Sequence, residues 1–376
     1  MRNKRLDVLR CIAVFLVIIR HSGGKWPLLA NIGWVGVDLF FVLSGFLISG
    51  LLFSEYKTHR SISFKRFFVR RSLKIYPAFY FFLFLTWLIS YTILHSVAPW
   101  SRYIHEILFV QNYWEGVWGY CWSLGVEEHF YILLPALLLF LVKTSSDQWN
   151  PFRFLPHVFV FVALSCIALR AASVFSGTPD YYTAYSASHN RIDALFFGAL
   201  LGYFYHFHGQ ALNDLVHPTT NRVLIAVCSA ALLSTTYFLP RESKLFSTFG
   251  YSCVYLGLGG LLVLSLYLQG ILRGKIARIA EVIGTVAASV GTYSYSIYLW
   301  HGPTGAWLPG LVRRVVHVPF SDGERYAVYL IGSPIIGIMM SKIIEYPILR
   351  FRDRILPAPH GIVVRSSGTC APRGKT

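Results

Sequence analysis

The chain has 376 residues, of which 55% are apolar, 16% aromatic and only 14% charged. A soluble domain carries roughly 25% charged residues, so the composition excludes a water-soluble enzyme, and the same figures exclude a disordered or collagen-like chain. The net charge is +17, yet no basic nucleic-acid module accompanies it. Basic residues gathered at the cytoplasmic ends of membrane helices explain it without nucleic acid.

A bilayer crossing needs about 20 apolar residues. On that rule the sequence predicts ten helices, over about 6–23, 33–53, 75–95, 122–142, 156–176, 190–207, 223–240, 249–268, 288–307 and 326–346. Residues 103–114 are apolar but too short to cross, and read as a re-entrant or interfacial helix. Arg2, Lys4 and Arg5 precede the first apolar stretch without a small-residue cleavage site, so that stretch reads as a retained span. With the N-terminus inside, 22 of the 34 Lys and Arg fall in inner segments and eight in outer ones. That asymmetry predicts that both termini are cytoplasmic. Residues 1–356 then form one all-α membrane domain, and 357–376 a short polar tail, expected to be disordered. None of the six cysteines forms a CxxC pair, so neither a disulfide framework nor a metal site is expected.

Charges inside a bilayer are costly and are functional hypotheses by default. In the first span Arg10 and His21 are 11 residues apart. At about 100° per residue both point to one face, offset by about 16 Å along the axis. One face thus presents an anion-binding guanidinium at the inner end and a titratable imidazole further out. A snorkelling Arg and an interfacial His account for the same spacing. In the second span Asp38 suits either an imidazole or an arginine partner, or a helix-end cap; Ser44 reads as a packing residue.

The segment before the third span carries Lys65, Arg66, Arg70, Arg71 and Lys74, more charge than orientation requires, which points to phosphate binding. Trp122–Tyr131 brings adjacent Glu127 and Glu128, turned about 100° apart and so suited to different tasks. Arg191-Ile192-Asp193, Tyr295–His301 and Glu345-Tyr346-Pro347 follow.

This series resembles the acyltransferase-3 family of bacterial membrane O-acyltransferases. The resemblance rests on Arg10/His21, Gly36–Ile48, Arg70–Pro77, Trp122–Tyr131, Arg191/Asp193, Tyr295–His301 and Glu345/Pro347, in that order, over nearly the whole chain. Lys74 stands where the family usually has Arg, which keeps the charge and loses the bidentate fork. Some relatives append an extracytoplasmic hydrolase-like domain, for which this length leaves no room. The resemblance implies transfer of an acyl group, often acetyl, from cytoplasmic acyl-CoA to a hydroxyl of a surface polysaccharide or lipid-linked glycan, with no metal, in the bacterial inner membrane. Small acceptors such as macrolides also occur in the family. On this reading Arg10, Arg70, Arg71 and Lys74 hold the CoA phosphates and His21 is the general base. Glu127 orients His21 or anchors the acceptor. Asp38, Arg191, Asp193, His301 and Glu345 support the cavity. A secondary transporter is the alternative from another class; it leaves the basic segment beside the Arg10/His21 face unexplained.

Overall fold

The computed structural model describes residues 3–22, 31–176, 185–267, 274–317 and 321–357. The expected tail falls almost wholly outside them. Among the described residues the chain is helical, without strands. It begins with α1 (Lys4–Arg20), α2 (Val35–His59), α3 (Phe64–Thr92) and a short α4 (Trp100–Ile107). A 3-10 turn at Gly119–Cys121 leads into α5 (Trp122–Thr144), followed by α6 (Leu155–Phe175), α7 (Ser188–Phe207), α8 (Gly209–Val216) and α9 (Thr219–Phe238). A π-helical segment, Phe246–Gly250, opens α10 (Tyr251–Tyr267). Then come α11 (Gly274–Gly291), α12 (Ser294–Val316) and α13 (Asp322–Met340), with a second π segment, Ser341–Glu345, before α14 (Tyr346–Ile355).

Among the described residues, seven helical stretches are long and apolar enough to cross a membrane by length and composition. Unlike a soluble fold, the bundle is apolar on its outside as well as in its core. Apolar side chains such as Val160, Phe161 and Leu164 on α6, and Val223, Leu224 and Val227 on α9, face outward, where lipid is their solvent. The buried set also includes Asp38, Glu128, Arg170, Arg191, Asp193 and His301. The chain is an integral membrane protein.

Three sequence expectations need correction. The third helix starts at Phe64, not near 75, so the basic residues 65–74 lie on its first turns rather than in a loop. Ser63 caps that start by accepting from the Arg66 N–H, which allows a charged run to be helical outside the apolar window. The ninth span, expected over 288–307, is broken at Thr292 and Tyr293 into α11 and α12, which leaves eleven helices of 17 or more residues among the described residues. The short apolar stretch after residue 100 forms α4, too short to cross, as the sequence predicts. Arg191, counted among outer basic residues, is a buried residue of α7.

Close approach of helix backbones sets the site. A Cβ added at Gly45 would lie 2.0 Å from the Leu195 carbonyl oxygen, and one at Gly198 would lie 2.2 Å from that of Val42. Glycine lets α2 and α7 touch at these points. Two turns back along both helices stand Asp38 and Arg191, so this contact fixes their register.

Candidate active site

The polar residues collect in two regions at opposite ends of α1. At the Arg10 end, a vestibule of about 270 Å³ lies between α2 and α3, lined by Arg66, Arg70, Arg71, Lys74 and Arg352. Glu55 is the one carboxylate among its described lining residues. Ile48, Arg71 and Lys74 also border a narrower inner cavity of about 100 Å³. Arg10, Glu127, Glu128, Tyr298 and Glu345 line that cavity too.

The inner cavity is a network of committed partners. The Tyr131 hydroxyl contacts Ser44 and donates to Glu127, while Arg71 donates to the same hydroxyl. Arg71 also approaches Glu127 at 3.7 Å and lies over the Tyr131 ring. Glu128, one residue on and turned away from Glu127, accepts from Tyr76 at 3.0 Å. Glu345 accepts from Ser296 and Ser341, each at 2.8 Å. The π segment that carries Glu345 adds a residue to the turn, a device common at functional sites. The break between α11 and α12 exposes Thr292 and Ser294 to the cavity. Irregular backbone at membrane depth is tolerated where it lines such a space. Lys74 has no ion pair or hydrogen bond among the described residues, whereas Arg70 is tied to Asp353 at 3.0 Å and to the Leu356 carbonyl. Arg10 contacts Asp7 at 3.4 Å.

At the other end of α1, His21 caps the helix. Its Nδ1 lies 2.9 Å from the Val17 carbonyl oxygen. A carbonyl only accepts, so Nδ1 carries the proton and Nε2 is left as a base. His21 borders two chambers. The first, about 540 Å³, is lined by Trp118, Tyr120, His301, Asp322, Arg325 and Tyr329, among others. The second, about 430 Å³, reaches Trp34, Trp122, Tyr185, Arg241 and Tyr298. The His301 ring centroid is 5.1 Å from that of His21. His301 is fully buried, its Nδ1 is held by the Tyr298 carbonyl, and its Nε2 has no partner among the described residues. Tyr298 separates the inner cavity from this region, its hydroxyl 2.7 Å from Ser123 and donating to the Tyr120 carbonyl.

Glu127 and His21 border no common cavity: Glu127 belongs to the Arg71–Tyr131 network, and the His21 Nδ1 is oriented by backbone instead. Of the two tasks the sequence left open for Glu127, orienting His21 is the one this arrangement does not perform.

Asp38, Arg191 and Asp193 form two crossed buried ion pairs behind the second chamber, where Arg191 lies over the Trp122 and Tyr185 rings. Arg191 donates to Asp38 at 2.7 Å, and Arg170 of α6 meets Asp193 at 3.0 Å. All four side chains are at most 1% exposed, so each charge relies on its partner. Of the roles open to Asp38, the structure shows the arginine pair. Sequence reasoning missed the partner of Asp193, although Arg170, a lone charge in an apolar span, was the signal for it. Tyr131, Tyr298 and Tyr120 gave no such signal, because tyrosine is common in membrane helices.

One further carboxylate supports the outer region. Glu106 of α4 is fully buried and accepts from the Trp118 N–H at 2.8 Å. It thereby holds the segment that carries Trp118 and Tyr120 beside His21. Burial pushes its carboxyl up to about 8, against the opposing pull of the Trp118 and Val117 backbone donors.

The chain is similar to known membrane acyltransferases in sequence. The peptidoglycan O-acetyltransferase OatA of Listeria monocytogenes is 27% identical over 364 residues, covering 91% of this chain and 55% of that protein. The O-acetyltransferase OatA of Staphylococcus aureus is 27% identical over 319 residues, covering 79% of this chain and 50% of that protein. The chain thus spans about half the length of the curated relatives it matches. No solved structure matches it significantly. The family described as an acyltransferase domain matches residues 3–351, nearly all of the described helices, and the chain belongs to this acyltransferase-3 family.

Proposed function

We propose that the protein is a membrane O-acetyltransferase that moves an acetyl group from acetyl-CoA to a hydroxyl of a cell-surface or lipid-linked glycan in the bacterial cytoplasmic membrane. The relatives' O-acetyltransferase names support the reaction class and the peptidoglycan relative supports a glycan acceptor. The observation that carries the reading is the placement of His21, with Nδ1 pinned to Val17 and Nε2 turned to chambers large enough for saccharide rings.

The donor end follows from charge. The vestibule gathers guanidinium and ammonium groups suited to the CoA phosphates. Arg71 and Lys74 border both vestibule and inner cavity, so they serve the phosphates nearest the pantetheine arm. Arg70, held by Asp353, shapes the rim. The inner cavity admits only a slender chain, and Tyr298 stands between its end and the His21 region. At the reacting centre the His21 Nε2 takes the acceptor hydroxyl proton as the oxygen attacks the thioester carbonyl. The C–S bond breaks, and the proton passes from His21 to the leaving thiolate. His301 supplies a second imidazole beside the first. Glu127 holds Arg71 and Tyr131 in place at the donor end.

The reading requires donor and acceptor to approach from opposite faces. An anionic CoA head cannot cross the bilayer core cheaply, and about 16 Å of helix separates Arg10 from His21. Arg60→Cys and Lys244→Cys, each in a background lacking the native cysteines, test this with an impermeant thiol reagent on intact cells. Labelling at 244 and protection at 60 is the expected result; labelling at 60 from outside reverses the topology and removes the two-sided scheme. For the chemistry, transfer from radiolabelled acetyl-CoA by purified protein is expected to fall by orders of magnitude in His21→Ala while CoA binding persists. Normal transfer by that variant removes His21 from the mechanism.

A further inference from the structure

The two chambers that meet at His21 differ in chemistry. The one beside α12 and α13 combines aromatic rings with both signs of charge, Asp322 and Arg325. The other contains Arg20 and Arg241, with no Asp or Glu among its described lining residues. Arg241 is the informative member. Its guanidinium lies over the Tyr185 ring at 4.0 Å and over the Trp34 ring at 5.2 Å. Stacking occupies the faces of the guanidinium and one in-plane N–H reaches the Tyr251 hydroxyl, which leaves the remaining in-plane donors for an anion. No carboxylate pairs with Arg241 among the described residues. Asp38 lies near enough to act on it through space, but is bound to Arg191 at 2.7 Å. A partly buried guanidinium held between rings, facing a chamber of about 430 Å³ beside the candidate base, is built for an anion.

We propose that this chamber is an anion-binding acceptor subsite, taking the carboxylate of an acidic sugar or the phosphate of a glycosyl phosphate on Arg241. The bound anion seats the sugar on the Trp34, Trp122 and Tyr185 rings, and a neighbouring hydroxyl then meets the His21 Nε2. The seating of that hydroxyl rests on the O-acetyltransferase reading given above; the binding of the anion does not.

The test is a titration of the full chain in detergent, without acyl donor, read by tryptophan fluorescence from Trp34 and Trp122. The probes are glucuronate, glucose 1-phosphate and glucose. Both anions are expected to bind at least about tenfold more tightly than glucose, a difference of about 1.4 kcal/mol, and added salt should erode that preference. The tighter of the two anions identifies carboxylate or phosphate as the source. Arg241→Gln should lose the preference while CoA affinity at the distant end stays unchanged, which shows that the variant is folded. Arg241→Lys, which retains charge without the fork, should keep part of it. Equal binding of glucose and the anions by the unmodified protein overturns the proposal, as does an unchanged preference in Arg241→Gln. Anion binding by a protein that transfers no acetyl group leaves the subsite standing and removes the enzymatic reading. Transfer with no preference for anionic sugars does the reverse.

Discussion

The Arg10 end and the His21 end of the same bundle solve different problems. At the Arg10 end charges are dense, and most carry partners: Arg71 with Glu127 and Tyr131, Arg70 with Asp353, Glu128 with Tyr76, Glu345 with two serines. At the His21 end the polar atoms are few, fixed on one side and open on the other. His21 and His301 each spend Nδ1 on a backbone carbonyl and keep Nε2 available, and Arg241 is held by ring stacking and the Tyr251 hydroxyl, with no carboxylate partner among the described residues. A region that only grips phosphates tolerates a dense ionic lattice. A region that must change protonation state during a reaction needs a base whose lone pair is not already spent.

The sharpest way to break this contrast is at His21. His21→Ala should lower transfer by about 10²–10⁴-fold, the usual worth of a general base, with CoA affinity unchanged by calorimetry. Equal losses of both would mean that the two ends are one site.

Next in size is the ionic layer that holds the helices between them. Arg191→Gln leaves Asp38 buried without its partner, and should destabilise the protein by about 3–5 kcal/mol, measured as a fall in thermal unfolding temperature in detergent. Replacing Asp38 and Arg191 together by Asn and Gln should cost less than the sum of the two single changes, because neither then leaves a lone charge.

Glu106 gives the outer region a pH dependence. Its carboxyl is raised from the ordinary 4.5 to about 8 in the folded protein. The folded state therefore binds the proton more tightly than the unfolded state. The stabilisation is fully present below about pH 4.5 and is lost as pH rises towards 8. The expected loss across that window is on the order of a few kcal/mol, and Glu106→Gln should flatten this part of the stability profile. A profile in the variant that matches the unmodified protein would show that folding does not raise the Glu106 carboxyl.

The smallest effect is expected at Lys74. Lys74→Ala should weaken CoA binding by about tenfold or less, since a single ammonium acts as a point charge without a fork, and raised ionic strength should reduce the difference. Lys74→Arg should bind CoA at least as well as the unmodified protein. A loss in Lys74→Arg would show that the inner cavity is fitted to the smaller head group.

The sequence by itself determined the solvent, the class of fold and the family. Apolar runs of bilayer length leave helices as the way to satisfy every backbone group in lipid, and the ordered motifs from Arg10 to Glu345 carry the family likeness. It also placed Arg10 and His21 on one face at separated depths, because helical period and rise are local properties. What only tertiary structure decided was partnership. Asp38 and Arg191 lie 153 residues apart in the chain, and no local rule could choose between an imidazole, a cap and this arginine. The Gly45–Gly198 contact between α2 and α7 made the choice. The division of Glu127 from His21 was likewise out of reach, since it depends on how α1, α3 and α5 pack together. The helical start of the basic segment and the break at Thr292 were missed for a related reason. A search for apolar windows sees only what lipid requires, whereas those residues answer to a polar cavity that exists only once the helices have assembled.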